Sequence, residues 1–183
     1  MASVLVPLAQ GCEELEAVTI IDLLRRAGIK VTTAGLDAQP IHASRGVVLI
    51  ADTTLDEALK SDYDMVVLPG GLPGADHLDQ DARIQALLKK MANSERFTAA
   101  ICAAPKVLAS AGLLDGKRAT AYPGTLEKLQ LSNTDITAET IMIDGKVITS
   151  RGPGTAMDFA LTLIETLVGA EKRQQVETGL VRP

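Results

Sequence analysis

A cysteine lies where an apolar run ends and a helix is expected to begin. The run 98–101 is short, uncharged and typical of a buried strand. Cys102 comes next, followed by Ala103, Ala104 and Pro105, and proline is favoured in the first turn of a helix. A helix N-terminus carries partial positive charge and free N–H groups, so it favours a thiolate and can bind an oxyanion. We therefore predict that Cys102 is a reactive nucleophile. The alternative is a small buried core residue, as free cysteine often is.

A glutamate breaks the pattern of the first predicted helix. Glu16 lies in the middle of the apolar stripe that Ile20, Leu23 and Leu24 continue. A carboxylate on the core face is unfavourable unless it is paired or protonated, and desolvation raises its pKa. Beside a thiol, such a group can donate a hydrogen bond when protonated and act as a general base when ionised. We predict that Glu16 is the acid/base partner of Cys102. The alternative is a carboxylate stabilised at a helix start by the macrodipole.

Two glycines follow another predicted strand, at 65–68. Gly70 and Gly71 present backbone N–H groups without side-chain obstruction, and with the N–H of Ala103 they form a predicted oxyanion hole. A plain glycine turn is the alternative. No Walker-type Gly-Lys-Ser/Thr follows, and the glycine spacing does not match the dinucleotide fingerprint. We therefore expect no nucleotide and no nicotinamide cofactor.

The other residues suited to metal or redox chemistry are few. Neither His42 nor His77 has metal-ligand spacing to another histidine or cysteine, so we predict no metal site. Both are expected to be surface or loop residues, although His77 follows the glycine loop and could approach the same crevice. Cys12 is either a resolving partner for Cys102 or a residue without a redox role. No spacing argument brings the two sulfur atoms within bonding distance.

Apolar, strand-length runs alternate with helical patterns along the chain. Strands are predicted at 3–9, 29–34, 47–51, 65–68, 98–101, 137–143 and 146–149, and helices at 14–27, 55–59, 81–93 and 155–168. Apolar strands separated by helices indicate a largely parallel sheet that is covered by helices on both faces. The last two strands form a hairpin at Asp144-Gly145. Ligands bind at the carboxyl ends of such strands, where Cys102, the glycine loop and segment 11–16 can meet.

Composition limits the classes of function. A chain of 183 residues predicts one domain over 1–183. Hydrophobic residues make up 46% and aromatic residues 2%, so the core is expected to consist of Val, Ile, Leu and Ala. A net charge of −5 without a basic run argues against direct nucleic-acid binding. No apolar run reaches the roughly 18 residues of a membrane span. With no signal-like N-terminus and only two cysteines, a cytoplasmic protein is expected.

Several segments together resemble a known family. They are Gly-Cys-Glu-Glu-Leu-Glu at 11–16, Arg-Arg-Ala-Gly-Ile-Lys-Val at 25–31, Val-Val-Leu-Pro-Gly-Gly at 66–71, Ala-Ala-Ile-Cys-Ala at 99–103 and Ser-Arg-Gly-Pro-Gly-Thr at 150–155. The chain resembles the ThiJ/PfpI superfamily nearly end to end, and within it the branch of the parkinsonism-associated protein deglycase and the bacterial chaperone YajL. The resemblance implies a flavodoxin-like three-layer sandwich and a homodimer.

The resemblance also implies roles for particular residues. Cys102 would lie on a strained nucleophile elbow with Glu16 hydrogen-bonded to its sulfur. Gly71 and Ala103 would supply N–H groups near the thiol, and Gly70 would line the site.

Further residues would connect the site with the dimer. Arg45 would pair across the dimer with Glu13 and Asp22, and the segment containing Pro153 would lie near both the site and the interface.

The sequence departs from the family pattern at one position near the site. Tyr122 stands where the parkinsonism-associated member carries a histidine ahead of a proline. Tyrosine can donate a hydrogen bond, but with an ordinary pKa of about 10 it is a poor base near neutral pH. Peptidase-like members place a histidine directly after the cysteine, where this chain has Ala103. A Cys-His hydrolase is therefore not expected.

Two classes of function agree with these residues. The first is cofactor-independent defence against reactive aldehydes, by glyoxalase-type conversion of methylglyoxal to lactate or by deglycation of proteins, with Cys102 as nucleophile and Glu16 as acid/base. The second is an oxidative-stress sensor and redox-regulated chaperone in which oxidation of Cys102 to a sulfinate alters binding to unfolded client proteins. The same two residues serve both classes, which differ in turnover: a catalyst releases product repeatedly, whereas a sensor needs only stoichiometric oxidation. We favour the first class.

Overall fold

The structure, a computed structural model, describes residues 1–182. Its strands are β1 (Ser3–Leu8), β2 (Lys30–Gly35), β3 (Ile41–His42), β4 (Val48–Leu49), β5 (Thr53–Thr54), β6 (Met65–Leu68), β7 (Phe97–Ile101), β8 (Arg118–Ala119), β9 (Asp135–Ile136), β10 (Ile141–Asp144) and β11 (Val147–Ser150). Its helices are α1 (Glu14–Arg26), α2 (Leu55–Ala58), α3 (Gly74–Gln80), α4 (Ala82–Asn93), α5 (Pro105–Ser110), α6 (Ala156–Val168) and α7 (Ala170–Gly179).

Seven of the strands form one sheet in the order β10-β11-β7-β6-β1-β2-β5. Neighbouring strands are parallel except for β10 and β11, which form an antiparallel hairpin. From β1 the chain extends the sheet through β2 and β5 on one side and then through β6, β7 and β11 on the other. The order therefore reverses between β1 and β6, and the carboxyl ends of strands at such a point form a crevice where ligands bind.

Side chains of the central strands alternate between two apolar clusters, as the two-residue period of a strand requires. In β1, Val4 and Val6 pack in the cluster that contains residues of α1 and α6. Leu5 packs on the opposite face with residues of α2, α4 and α5. The molecule is thus a three-layer sandwich of helices, a largely parallel sheet and helices, which confirms the predicted flavodoxin-like class.

Two predicted strands are corrected by the structure. The run 47–51 is not a strand of the main sheet: only Val48–Leu49 is extended, and it pairs with Ile41–His42 in a separate hairpin. The run 137–143 becomes a strand only at Ile141, whereas Asp135–Ile136 pairs with Arg118–Ala119 in a second small sheet. In both cases a local apolar pattern is present, but the partner strand decides which residues are paired.

Two helices were not predicted. α3 begins immediately after Pro73 with a glycine, and a glycine lowers intrinsic helix propensity. α7 buries only Val176, so it lacks the apolar stripe by which helices are recognised. None of the helices within residues 1–182 has the length and apolar character needed to cross a membrane.

Candidate active site

Cys102 has an unusual backbone conformation at the carboxyl end of β7. Its φ is 63°, in the left-handed region that costs a non-glycine residue about 1–2 kcal/mol. The Cys102 N–H donates to the Ser150 carbonyl at 3.0 Å, and its own carbonyl accepts from the Tyr122 N–H at 2.8 Å. These bonds hold the strained residue between β11 and the segment that follows β8. The conformation is that of a nucleophile elbow, where the chain turns sharply from a strand towards a helix.

Glu16 lies in the first turn of α1 and is fully buried, at 0% exposure. Its Oε2 accepts a hydrogen bond from the Gly70 N–H at 2.8 Å. Within residues 1–182, its Oε1 has no hydrogen-bond partner. Burial raises the pKa of Glu16 to about 7, although hydrogen bonds from Gly70 and from the Cys102 thiol oppose this shift. The carboxyl group can therefore both accept and donate a proton near neutral pH.

The Cys102 thiol is close to Glu16 and to two backbone amides. It is 9% exposed. Burial, together with the charge and hydrogen bond of Glu16, raises the pKa of Cys102 to about 12, although the N–H groups of Gly71 and Ala103 oppose this shift. The sequence predicts that a helix start favours the thiolate, and this is corrected here. α5 is only six residues long and begins at Pro105, and its effect is outweighed by burial and Glu16.

The two groups can exchange one proton. When Glu16 is ionised, its negative charge stabilises the neutral thiol. When Glu16 takes up a proton, the negative charge that opposes thiolate formation disappears. Thiol with carboxylate and thiolate with carboxylic acid have the same net charge, so one proton shared between Glu16 and Cys102 can activate the sulfur without exchange with solvent.

Gly70 and Gly71 permit the loop after β6 to approach these groups. A Cβ at Gly70 would lie 2.6 Å from Cys102 Cβ and 2.8 Å from Glu16 Oε2. Gly71 has a φ of 88°, and a Cβ there would lie 2.4 Å from the Glu13 nitrogen. Both positions therefore require glycine, for close approach at Gly70 and for close approach and backbone conformation at Gly71.

Tyr122 and the segment that contains Pro153 are predicted to line the site, and the structure brings these two segments together. The backbone N–H of Tyr122 donates to the Cys102 carbonyl, and the residue is 54% exposed. The ring packs against Gly152, where a Cβ would lie 3.4 Å from Tyr122 Cδ2. Pro153 follows in a turn that the Thr155 hydroxyl closes by accepting from the Gly152 N–H at 3.1 Å.

Glu14 is a structural residue that no pattern in the sequence distinguishes from its acidic neighbours. Its carboxylate accepts hydrogen bonds from the Arg45 N–H at 2.8 Å, the Ser44 hydroxyl at 3.1 Å and the Val47 N–H at 3.4 Å. Burial acts to raise the pKa of Glu14, but the backbone N–H of Glu14 itself and these three donors together hold it below its usual value. The only sequence signal was the number of acidic residues in one helical turn, at 13, 14 and 16.

The residues predicted to pair across a dimer have other contacts within this chain. The Glu13 carboxylate accepts from the Ser44 hydroxyl at 2.8 Å, and Asp22 forms an ion pair with Arg26 at 2.6 Å. The Arg45 side chain is exposed. Their pairing with a second copy stays a prediction.

Cys12 is buried and is a free cysteine, like Cys102. Burial and the nearby charge of Glu14 raise the pKa of Cys12 to about 11, so the neutral thiol predominates. Its resolving role stays untested. Across the described part of the chain, no group of three or more His, Cys, Asp or Glu residues is arranged to hold a metal ion.

The fold is that of a flavodoxin-like protein. Its site consists of a cysteine in the left-handed conformation at a strand end, next to a buried glutamate and two glycines, which is the arrangement of a nucleophile elbow. Residues 2–166 match the DJ-1/PfpI family. The chain belongs to this family.

Three relatives illustrate the similarity. Protein DJ-1 homolog A of Arabidopsis thaliana is 44% identical over 181 residues, which cover 98% of this chain but 46% of that protein. The chain therefore spans about half the length of that relative. Glutathione-independent glyoxalase DJR-1.2 of Caenorhabditis elegans is 34% identical over 171 residues, covering 93% of this chain and 90% of that protein. The crystal structure of Drosophila melanogaster DJ-1beta superimposes with a TM-score of 0.94 at 45% identity, covering 100% of this chain and 98% of that one.

Proposed function

We propose that this protein is a cofactor-independent enzyme that removes reactive aldehydes, by glyoxalase-type conversion of methylglyoxal to lactate, by deglycation of early adducts on proteins, or by both. The observation that carries the proposal is the contact between the Cys102 thiol and Glu16, whose pKa is about 7, beside two backbone N–H groups. The glyoxalase name of the Caenorhabditis elegans relative supports the same reaction class.

The first step is addition of the thiol to the aldehyde carbon. The Glu16 carboxylate takes the proton of Cys102 while the sulfur attacks the aldehyde carbon of methylglyoxal. The aldehyde oxygen becomes an oxyanion that accepts hydrogen bonds from the N–H groups of Gly71 and Ala103. Return of the proton to this oxygen gives a neutral hemithioacetal and leaves Glu16 ionised again.

The second step is a proton transfer between adjacent carbons. Glu16 removes the hydrogen of the carbon that carries the sulfur, which gives an enediolate, and returns it to the former ketone carbon, while the hydroxyl proton passes from the oxygen of the first carbon to the adjacent oxygen of the second. The product is a lactoyl thioester on Cys102. Water then attacks the thioester carbonyl, releases lactate and restores the thiol. No electron acceptor is needed, since oxidation of one carbon balances reduction of the next.

Lactate formation by the fully reduced protein tests this proposal. We expect many molecules of lactate per chain from methylglyoxal, and no turnover by Cys102→Ser, because a hydroxyl is a much weaker nucleophile than a thiolate. Cys12→Ser is the matched control, since it alters the other buried cysteine, and we expect it to keep turnover. Mass spectrometry would verify the thiol state. Full activity of Cys102→Ser would refute the proposal.

A second candidate function is redox sensing, with or without a chaperone activity on unfolded proteins. It is favoured by Glu16 Oε1, which is buried without a partner within residues 1–182 and can donate a hydrogen bond to an oxidised sulfur when the carboxyl is protonated. Stoichiometric oxidation of Cys102 to a sulfinate, together with no more than one lactate per chain, would favour this function over the enzyme.

We also propose that the protein forms a homodimer through the face made by α1 and the β3–β4 hairpin. The Glu14 carboxylate joins these two elements by accepting a hydrogen bond from the Val47 N–H. Large apolar side chains are exposed on this face: Leu15 and Val18 on α1, Val47 and Val48 in the hairpin, and Ile50 just after it, at 85% exposure. Such exposed apolar patches often mark protein interfaces. Sedimentation should give a dimer mass for the native chain and a monomer mass for Val48→Glu; a native monomer would refute the proposal.

A further inference from the structure

A second cavity lies outside the carboxyl ends of β1 and β2. Its volume is about 370 Å³, within the range of small-molecule sites. Leu8, Leu36 and Ile41 give it apolar walls, and its polar side chains include Gln10, Asp37 and His77. Neither Cys102 nor Glu16 lines it. The cavity is therefore separate from the site of the proposed aldehyde chemistry.

The hydrogen bond of His77 determines which of its ring nitrogens is free. Nδ1 lies 3.0 Å from the carbonyl oxygen of Gln10. Because a carbonyl oxygen can only accept, Nδ1 carries the hydrogen, and Nε2 of the neutral ring is an unprotonated acceptor. The Gln10 side chain is already engaged, since its amide donates to the Pro40 carbonyl at 2.9 Å and accepts from the His42 N–H at 2.9 Å. This wall is thus fixed before any ligand binds.

Asp81 has its hydrogen bonds satisfied within the protein. Its Oδ1 accepts from the Arg83 N–H at 2.9 Å, and its Oδ2 accepts from the Arg83 guanidinium at 2.6 Å. The same guanidinium also binds Asp56 at 2.8 Å and the Leu36 carbonyl at 2.9 Å. One arginine is therefore shared by two carboxylates, which leaves this side of the cavity with a net negative charge.

Asp37 keeps an acceptor for a ligand. Its Oδ1 accepts from the Gln39 N–H at 2.8 Å, and its Oδ2 has no hydrogen-bond partner within residues 1–182. Asp37 also forms no ion pair in that part of the chain. Gln80 lies at the rim, and its amide can donate or accept, so it does not determine the kind of ligand. The groups that do determine it, His77 Nε2 and Asp37 Oδ2, are both acceptors.

We propose that this cavity binds a compact organic cation, a guanidinium or primary ammonium group on a short apolar chain. The cation donates N–H hydrogen bonds to His77 Nε2 and the Asp37 carboxylate, and its apolar part packs on Leu8, Leu36 and Ile41. An anion would meet the negative charge of Asp37 and of the Asp56–Arg83–Asp81 group. A neutral ligand would forgo the charge-assisted bond to Asp37, and such bonds are stronger than neutral ones.

Butylguanidine and butylurea are matched probes, because they have nearly the same shape but only the first is cationic at neutral pH. The His77 ring resonances in an NMR titration report binding at the cavity directly. We expect saturable shifts with butylguanidine and binding of butylurea that is weaker by about threefold to fivefold, the effect of losing an ion pair with an exposed carboxylate.

Substitution of Asp37 locates the binding site. Asp37→Asn should weaken butylguanidine binding by about threefold to fivefold, because the carboxylate is exposed. Asp115→Asn, which removes an exposed carboxylate outside the cavity, should bind as the native chain does. The proposal is overturned by absence of saturable shifts, by equal binding of the two probes, or by unchanged affinity of Asp37→Asn. Since none of these outcomes involves aldehyde turnover, they are independent of the proposed enzyme function.

Discussion

Two carboxyl groups in the first turn of α1 have opposite properties. Glu14 accepts hydrogen bonds from two backbone amides and a hydroxyl of the segment 44–47, and its pKa is lowered. Glu16, two residues later, accepts from one backbone amide, and its pKa is raised to about 7. They are 8% and 0% exposed, so both are buried residues.

The number of hydrogen bonds that each carboxyl group accepts explains the difference between the two pKa values. Burial raises the pKa of each carboxyl, but at Glu14 the donors more than compensate for desolvation. Glu14 is therefore held as an anion that fixes the turn after β3. Glu16 retains an oxygen without a partner in the described chain and a proton affinity close to neutral pH, which is the condition for acid/base chemistry beside a thiol.

The largest expected effect is on catalysis by Glu16→Gln. A glutamine can still accept from the Gly70 N–H, but it can neither take the Cys102 proton nor move a proton between carbons. We expect lactate formation to fall by about 100-fold or more. Glu14→Gln is the matched control in the same helical turn, and its turnover should stay within a few-fold of native at a temperature where it is folded. Similar losses in both variants would contradict the difference between the two carboxyls.

The pH dependence of stability gives a second contrast. Folding raises the pKa of Glu16 from 4.5 to about 7. The contribution of Glu16 to the free energy of unfolding is therefore complete below pH 4.5 and is lost as the pH rises through about 7. The loss is on the order of 3 kcal/mol. Denaturant unfolding measures the free energy of unfolding at pH 4.5 and at pH 8. Between these two pH values, we expect the native chain to lose this amount of stability relative to Glu16→Gln. Parallel pH profiles would contradict the raised pKa.

Gly70→Ala tests the close approach on which the Glu16 environment depends. The added Cβ would contact Cys102 Cβ and Glu16 Oε2 at under 3 Å, so we expect a loss of about 2 kcal/mol in the free energy of unfolding. Gly179→Ala is the control, because a Cβ there meets nothing within 4 Å. Native-like stability of Gly70→Ala would mean that the loop is not tightly apposed to Glu16.

The smallest expected effect is that of Glu14→Gln on stability. Replacing the carboxylate by a neutral amide weakens the hydrogen bonds that it accepts from Ser44, Arg45 and Val47. We expect the free energy of unfolding to fall by about 1–2 kcal/mol near neutral pH. The pKa of Glu14 is lowered on folding, so its contribution is present above 4.5 and disappears as pH falls below that value. The native and variant curves from urea unfolding should therefore converge in acid. A difference that persists at pH 3 would have another cause.

The contrast also shows how much can be predicted from sequence. Glu16 is found from the helical period alone, because it interrupts the apolar stripe of Ile20, Leu23 and Leu24, and Cys102 is found from the boundary between a strand and a helix. The sheet is predictable since its strands are apolar on both faces. These features depend on residues that are close together in the chain.

What could not be predicted depends on distant contacts. The donors to Glu14 are 30 to 33 positions away in the chain, so no local pattern shows that its charge is satisfied. The raised pKa of Cys102 depends on burial and on Glu16, neither of which follows from its place before α5. The run 47–51 has the composition of a core strand, but its partner is the short strand at Ile41–His42.

The most direct test is the titration of the Glu16 carboxyl itself. Infrared difference spectroscopy of protein labelled with ¹³C-glutamate can follow the protonated carboxyl band, and its absence from Glu16→Gln would assign it. We expect a protonated carboxyl that titrates near pH 7. A Glu16 that is already about nine-tenths ionised at pH 5.5, as expected for a glutamate with the ordinary pKa of 4.5, would contradict its role as the proton-exchanging group of this site.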